Sequence, residues 1–299
     1  MKKRLLLLCA AICALAFAKP VPVIFDTDMG NDIDDALALC MLHSLQSMGK
    51  VDLLAVTVNK DNPYAPVYCD IINTFYGHTN IPVGFVKDSG ITPDNGPFAA
   101  KVAKLRDADG RYTFARRGEN GDDFPNATYL LRELLAKAED NSVVMIVVGF
   151  STNMIRLLNT PADAISPLTG TELFAKKVKF VSIMAGDFSE KPRPEYNVKE
   201  DVTSAREFYR DCPVKMVFLP WAVGRQVEYP WSSIENDFKW ARIHPVAEGF
   251  KYYRHGKIHD RPVWDLMSIL VAAYEPTEFY TLSKPGTVAV YDRDGRTKF

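Results

Sequence analysis

The chain has 299 residues, of which 47% are apolar and 24% are charged, and its formal net charge is -1. A chain of this length and composition can bury a large core, which excludes a disordered or fibrous protein. Because 36 basic residues are balanced by 37 acidic ones, no cationic excess is available for a phosphate backbone, and nucleic acid is not an expected partner.

The first 18 residues have the pattern of a secretory signal peptide. A basic start precedes the apolar run 5–17, and Ala16 and Ala18 are the small residues that a signal peptidase recognises. The apolar run has about 13 residues, fewer than a membrane-spanning helix needs. We expect a signal peptide at 1–18, a mature domain at 19–299 in an exported, periplasmic compartment, and no stable membrane insertion after cleavage. An uncleaved N-terminal anchor is the alternative.

The mature sequence alternates predicted strands and helices. Apolar runs rich in β-branched residues predict strands at 21–25, 51–58, 81–85, 142–148, 178–184 and 214–219. Helical spacing of apolar residues predicts helices at 34–47, 68–76, 128–138, 152–158, 202–209 and 265–274. This alternation predicts a single α/β domain with an open, mainly parallel, doubly wound sheet. Such sheets bind ligands at the carboxyl ends of their strands.

A cluster of carboxylates follows the first predicted strand. Five aspartates fall within ten residues: Asp26, Asp28, Asp32, Asp34 and Asp35. Capping of the next helix explains one or two of them, but not five. Carboxylates this close repel one another unless a cation neutralises them. Oxygen ligands without nearby cysteine or histidine select Ca²⁺ or Mg²⁺ rather than zinc, and the spacing does not fit an EF-hand. The sequence therefore predicts a divalent-cation site.

The aspartate segment carries a family resemblance. Residues 26–39 read DTDMGNDIDDALAL and resemble the N-terminal signature of the inosine–uridine nucleoside hydrolase family, with two extra residues before Asp34 and Asp35. Shorter segments match in the family's order at 53–58, 81–83, 147–153, 183–186, 195–197 and 263–265. The resemblance covers nearly all of the mature chain. It implies the nucleoside hydrolase fold, a small-molecule ribonucleoside substrate hydrolysed to ribose and free base, Ca²⁺ as cofactor, and a homo-oligomer (dimer or tetramer).

The resemblance also implies roles for individual residues. Asp28, Asp35 and Asp265 match carboxylate ligands of calcium, and Val148 matches a residue that supplies a main-chain carbonyl. Asp28 also matches the general base that takes a proton from a metal-bound water. The predicted substrate-binding residues are Asp34, Met184, Glu195, Asn197, Trp264 and Asn31. The predicted supporting residues are Asp26 and Asp32. For Asp32, a metal ligand, a helix cap and a solvent-facing charge remain the alternatives.

The leaving-base side departs from the family pattern. Trp264 stands where many members have a histidine that serves the leaving base. Its indole is predicted to stack on a purine, and a core tryptophan is the alternative. The stretch 187–194 is also shorter than in typical members.

Two other functions stay open at this point. Asp26 and Asp28 at a strand end resemble the Asp-x-Asp of haloacid dehalogenase phosphatases, in which the first aspartate attacks phosphorus. However, Gly-Thr does not follow directly, and Asp34 and Asp35 have no role in that chemistry. The short 187–194 stretch and the absent histidine leave, as the second alternative, an exported sugar- or nucleoside-binding protein without turnover.

Overall fold

A computed structural model of the chain describes residues 19–88, 90, 97–257, 259–291 and 293–299. The predicted signal peptide at 1–18 lies outside the described residues. Within those residues, every helix is too short or too polar to cross a membrane.

A central parallel sheet organises the described chain. Its strands are β1 (Val21–Thr27), β2 (Val51–Val58), β3 (Val83–Phe85), β4 (Val143–Val147), β5 (Val178–Met184) and β6 (Met216–Leu219). They pair in the order β3-β2-β1-β4-β5-β6, and each neighbouring pair is parallel. All the predicted strands are confirmed, although β3 and β6 each begin two residues later than predicted.

Helices flank the sheet on both faces. They are α1 (Asp34–Ser47), α2 (Ala65–Phe75), α3 (Phe98–Ala103), α4 (Ala127–Lys137), α5 (Thr152–Leu158), α6 (Gly170–Lys177), α7 (Tyr196–Glu200), α8 (Val202–Asp211), α9 (Trp221–Gly224), α10 (Trp231–Asn236), α11 (Pro245–Tyr252) and α12 (Trp264–Ala273). Two small antiparallel pairs are β7 (Glu228–Tyr229) with β8 (Arg261–Pro262), and β9 (Ala289–Val290) with β10 (Thr297–Lys298). The predicted helices correspond to α1, α2, α4, α5, α8 and α12.

The order in which the chain adds strands to the sheet reverses between β1 and β4. From β1 the chain builds outward to β2 and β3, and it then crosses back to form β4 on the other side of β1. Loops that leave β1 and β4 therefore diverge, and such a switch point opens a crevice at the carboxyl ends of the strands. Asp26 pairs with Val147 at this edge, and the N–H of Val148 donates to the carbonyl of Asp26 at 2.8 Å.

Both faces of the sheet are buried. Along β1, Val23 and Phe25 pack into the apolar cluster on one face, whereas Ile24 packs into the cluster on the other. Successive side chains of a strand point to opposite faces, so a strand covered on both faces needs a continuous apolar run. Helices α1, α2 and α12 contribute to the first cluster, and α4, α5, α6 and α8 contribute to the second. The predicted doubly wound α/β fold is confirmed.

Two histidines are buried as uncharged side chains. His43 of α1 is 0% exposed, its Nε2 lies 2.9 Å from Oδ1 of Asn73, and its ring stacks with those of Tyr76 and His78. His244 accepts a hydrogen bond from the first turn of α11 and is also buried. Burial lowers the pKa of each histidine to about 4. Both are therefore structural residues at neutral pH.

We predict that these histidines make the free energy of unfolding fall in mild acid. Each folded pKa lies below the ordinary value, so the unfolded chain binds more protons as the pH drops from about 6.5 to about 4. Above about pH 6.5 both histidines are uncharged in either state and do not lower the free energy of unfolding, whereas below it the loss grows progressively down to about pH 4. By pH 5 each histidine should lower the free energy of unfolding by roughly 2 kcal/mol relative to its value above this window.

Urea unfolding at pH 8 and pH 5 measures this loss. Buried aspartates with raised pKa values act in the opposite direction, so the comparison must be between the wild type and His43→Gln. The variant should lose less stability between the two pH values than the wild type does. His255→Gln is the control, because His255 is exposed. Equal losses in all three proteins would contradict the prediction.

Candidate active site

The first strand leads directly into the predicted site. Asp26 lies within β1 and is fully buried, and its carboxylate accepts hydrogen bonds from Thr57 at 2.5 Å and from Asn59 and Asn153, each at 2.7 Å. Asp28 follows the strand and lines a pocket, which Asp26 does not. The two aspartates share a spacing in sequence, yet only Asp28 is positioned to meet a ligand.

The pocket encloses about 430 Å³ of space not occupied by protein atoms, part of which is open to solvent. Its lining residues are Asp28, Asn31, Asp32, Asp34, Asp35, Val148, Met184, Glu195, Tyr196, Asn197, Trp221, Trp264 and Asp265. Every predicted site residue except Asp26 is among them. The structure thus brings together residues from both ends of the sequence, and it adds Tyr196 and Trp221, which were not predicted.

Buried carboxylates dominate the floor of this pocket. Asp28, Asp34, Asp35 and Asp265 are each at most 5% exposed. Burial and repulsion from the neighbouring aspartates raise the pKa of Asp35 and of Asp265 well above the ordinary value. Burial also raises the pKa of Asp28, to about 7, although the charge of Lys60 opposes the shift. The cluster of buried aspartates therefore lacks the positive charge that would neutralise it.

Two buried cations partly compensate the cluster. Arg261 forms an ion pair with Asp34, with Nη2 at 2.6 Å from Oδ1. Lys60, which follows β2, is 0% exposed, and its Nζ has no hydrogen-bond partner among the described residues. That ammonium lies 5.9 Å from the ring centres of Phe150 and Tyr196. An unpaired buried ammonium is costly, so the nearby carboxylates are its electrostatic support.

A polar wall stands beside the carboxylates. Glu195 caps α7, and its carboxylate accepts hydrogen bonds from the N–H groups of Asn197 and Gly186, each at 3.1 Å. Asn197 donates through Nδ2 to the carbonyls of Val148 at 2.8 Å and Met184 at 3.2 Å. Burial raises the pKa of Glu195, and the backbone N–H bonds oppose the shift. These bonds fix the side chains of Glu195 and Asn197 before any ligand binds.

An aromatic wall forms another side of the pocket. The indole N–H of Trp264 donates to the carbonyl of Trp221 at 2.9 Å, and the two ring centres lie 6.3 Å apart. The guanidinium of Arg193 lies 3.8 Å above the ring of Trp221, and that of Arg261 lies 4.8 Å above the ring of Trp264. Both indoles are held in place and present apolar surface to the pocket.

The donor groups fit a hard cation. The lining supplies carboxylate and carbonyl oxygens and contains no cysteine or histidine, which is the ligand chemistry of Ca²⁺ or Mg²⁺. In the described part of the chain, no three acidic, histidine or cysteine side chains already converge as a closed metal site. Like charges resist such convergence unless a cation lies between them.

Comparison with known proteins decides the family. The sequence model of the inosine-uridine preferring nucleoside hydrolase family matches residues 23–298. The chain belongs to this family. It is accordingly an N-ribosyl hydrolase that cleaves the N-glycosidic bond of nucleosides, and its family is metal-dependent. No curated protein sequence compared with the chain matches it.

Solved nucleoside hydrolase structures share the fold. The inosine-uridine preferring nucleoside hydrolase from Bacillus anthracis is 18% identical with a TM-score of 0.66, covering 93% of this chain and 90% of that one. The purine-preferring ribonucleoside hydrolase from Gardnerella vaginalis is 17% identical with a TM-score of 0.64, covering 93% and 87%. An inosine-guanosine nucleoside hydrolase is 21% identical with a TM-score of 0.64, covering 92% and 86%.

The site geometry of this nucleoside hydrolase argues against a phosphatase. In that alternative, Asp26 would attack phosphorus. Its side chain is 0% exposed, and its carboxylate accepts three hydrogen bonds from Thr57, Asn59 and Asn153. A carboxylate enclosed in this way cannot reach a substrate. Asp26 instead ties β1, β2 and α5 together behind the pocket.

Sequence reasoning missed several residues around the nucleoside hydrolase pocket. Lys60 directly follows the end of β2, at the sheet edge where ligands bind, and that position was the available signal. Tyr196 lies between Glu195 and Asn197, which were both predicted. Trp221 and Arg261 carry no motif, and their relation to the pocket depends on tertiary contacts.

We predict opposite effects on stability for two aspartates of the cluster. Asp26→Ala leaves three buried donors without an acceptor, so it should lower the free energy of unfolding by roughly 3 kcal/mol or more. Asp35→Asn removes one charge from the cluster, and in the metal-free protein it should leave the free energy of unfolding unchanged or raise it.

Urea unfolding in the presence of a chelator measures both variants. Asn keeps an oxygen that can accept the hydrogen bond from the hydroxyl of Thr27, so the comparison isolates the charge of Asp35. Equal destabilisation by the two substitutions would show that repulsion at Asp35 does not oppose folding.

Proposed function

We propose that this chain hydrolyses ribonucleosides to ribose and free base, with Ca²⁺ as cofactor and Asp28 as the general base. The observation that carries the proposal is one pocket that joins buried carboxylates, a fixed polar wall and an aromatic wall. A sugar fits the polar side of such a pocket, and a planar base fits the aromatic side.

Asp28 has the environment of a general base. It is 4% exposed and lines the pocket. Burial raises its pKa to about 7, partly offset by Lys60. A divalent cation bound beside this carboxylate would lower that pKa and keep Asp28 deprotonated, as a general base must be. The place of Asp28 in the pocket lining, next to the other proposed metal ligands, supports it as the group that takes the proton of the attacking water.

The proposed calcium ligands are the carboxylates of Asp28, Asp35 and Asp265 and the carbonyl of Val148. All four residues line the pocket, and their donor atoms are oxygens. When bound, calcium would supply positive charge that acidifies a nearby water and orients sugar hydroxyls. Asp34 is left for the substrate, because Arg261 already neutralises its charge.

The hydrolysis is a single displacement at C1′ of the ribose. The water oxygen bonds to C1′, one of its protons goes to Asp28, and the electron pair of the breaking C1′–N bond leaves with the base, which takes up one proton to become the free base. The sugar becomes cationic on the way, and the surrounding carboxylates stabilise that charge. Water attacks from the face opposite the base, so the product should have inverted configuration.

The aromatic wall supports recognition of the base by stacking. Trp264 is half-buried and lines the pocket with Trp221, so it is not simply a core residue. Indole rings present broad faces to a planar heterocycle. We therefore propose that Trp264 contacts the leaving base, and that Met184, Glu195, Asn197 and Asn31 contribute to the ribose side.

A nucleoside panel tests the reaction. Ribose release from inosine, adenosine, guanosine, uridine and cytidine should occur with calcium, stop when a chelator removes the metal, and return when calcium is restored. Full activity in a metal-free preparation would contradict the cofactor assignment. Binding of nucleosides without release of ribose would instead support the exported binding protein.

Substitution of Asp28 tests the general base. Asp28→Asn should lower kcat about a thousandfold, the middle of the range for removal of a general base. The far-ultraviolet circular dichroism and the thermal unfolding midpoint should stay close to those of the wild type. Asp52→Asn is the matched control, because Asp52 is an exposed residue of β2 and should keep full activity. Near-wild-type turnover by Asp28→Asn would refute the assignment.

We also propose that the enzyme is exported to the periplasm after cleavage of residues 1–18, and that it assembles as a dimer or tetramer. The charged, apolar and small-residue pattern of the leader supports export. Mass spectrometry of the protein from a periplasmic fraction should give a mature chain that begins near Lys19. An intact leader in the membrane fraction would support the anchor alternative. Light scattering of the purified protein measures its molar mass in solution and hence the number of subunits.

A further inference from the structure

Arg261 is an almost completely buried cation in the wall behind the pocket. Its side chain is 1% exposed. Nη2 lies 2.6 Å from Oδ1 of Asp34, and Nε donates to the same oxygen at 3.1 Å. Nη2 also lies 2.6 Å from Oδ2 of Asp32. A buried guanidinium must be paired, and here two carboxylates of the pocket provide the pairing.

Tyr253 closes the hydrogen-bond network around Arg261. Its hydroxyl donates to Oδ1 of Asp32 at 2.8 Å and accepts a hydrogen bond from Nη1 of Arg261 at 3.0 Å. The guanidinium is a rigid planar fork, so contacts on several of its nitrogens fix its plane as well as its position. Asp32 belongs to the two residues that extend the aspartate signature in this chain. The extension therefore supplies one side of the clamp.

The network leaves the two oxygens of Asp34 in different states. Oδ1 accepts both hydrogen bonds from Arg261. Within the part of the chain that the structure describes, Oδ2 has only a long contact, 3.4 Å, from the N–H of Asp265. Asp34 lines the pocket. Oδ2 thus keeps the capacity to accept a hydrogen bond from a ligand, and Arg261 prevents the carboxylate from rotating.

We infer that Arg261 is a positioning residue for the hydrolysis: it holds Asp34 so that Oδ2 accepts a hydrogen bond from one hydroxyl of the sugar. The inference rests on the proposed function, which places ribose in this pocket. Asp32 and Tyr253 act one step further back, because they hold Arg261. Arg261 itself touches no reacting atom in this arrangement.

The same guanidinium connects the sugar side of the pocket with the aromatic wall. It lies 4.8 Å above the ring of Trp264, which in turn donates its indole N–H to Trp221. Substitution of Arg261 can therefore disturb the base side too. A useful experiment must separate an effect on one sugar hydroxyl from a general loss of order.

Deoxy analogues of the best ribonucleoside make that separation. The wild type and Arg261→Met are compared on the parent nucleoside and on its 2′-, 3′- and 5′-deoxy forms, by kcat/KM where turnover is measurable and by calorimetric Kd otherwise. On the parent nucleoside, Arg261→Met should lower kcat/KM, or raise Kd, about 100-fold, a usual loss when one partner of a buried charged pair is removed.

The pattern across the analogues decides the inference. For the analogue that lacks the hydroxyl bound by Asp34, Arg261→Met and the wild type should differ by less than about threefold, because the bond that Arg261 positions is already missing. The other two analogues should show the full loss. A uniform loss on all four substrates would overturn the inference. Absence of ribose release by the wild type would instead refute the proposed function.

Two further variants keep the test decisive. Tyr253→Phe removes one hydroxyl at the edge of the clamp and should give the same pattern with a loss of about tenfold or less, which covers the case in which Arg261→Met does not fold. Arg132→Met is the matched control: Arg132 is also 0% exposed, it pairs with Asp163, and neither residue lines the pocket. Arg132→Met should lower the thermal unfolding midpoint. Any change that it causes in kcat/KM or Kd should be the same on the parent nucleoside and on all three deoxy analogues.

Discussion

The concentration of negative charge beyond β1 is the constraint on which the rest of the site depends. Asp28, Asp34, Asp35 and Asp265 are buried within one small pocket, although burial and mutual repulsion both disfavour their charged forms. Structures hold like charges together when the arrangement serves a ligand, and they offset the cost elsewhere. This concentration of carboxylates agrees with the metal dependence of the family.

The fold offsets this repulsion with positively polarised backbone. Asp34 and Asp35 lie in the first turn of α1, and Asp265 lies in the first turn of α12, so each carboxylate is near a helix N-terminus. The parallel sheet makes this possible, because the loops that leave its strands all emerge at one edge. Arg261 and Lys60 add full charges: Arg261 is paired, and Lys60 has no hydrogen-bond partner in the described ranges of the chain.

The pocket combines two chemically different sides. Glu195 and Asn197 are fixed by backbone hydrogen bonds, which gives the polar side its order without a ligand. Trp264 and Trp221 are fixed by an indole hydrogen bond and by arginines above their rings, which gives the aromatic side a flat apolar surface. Preorganised groups lose little entropy when a ligand binds. Arg261 contacts both sides, so the clamp on Asp34 and the position of Trp264 are mechanically linked.

The sequence alone determined the strands, the principal helices and the aspartate cluster, because apolar periodicity and local charge density are properties of neighbouring residues. It missed α6, even though Thr169 and Glu172 form a capping box, and it missed the short helices that have too few residues for a period. Only the tertiary structure decided which side chains hold Asp26, which the family resemblance had already predicted to be a supporting residue. It alone paired Arg261 with Asp34, 227 residues away. Such pairings depend on where the sheet and its loops bring distant segments together, and local patterns contain no information about that.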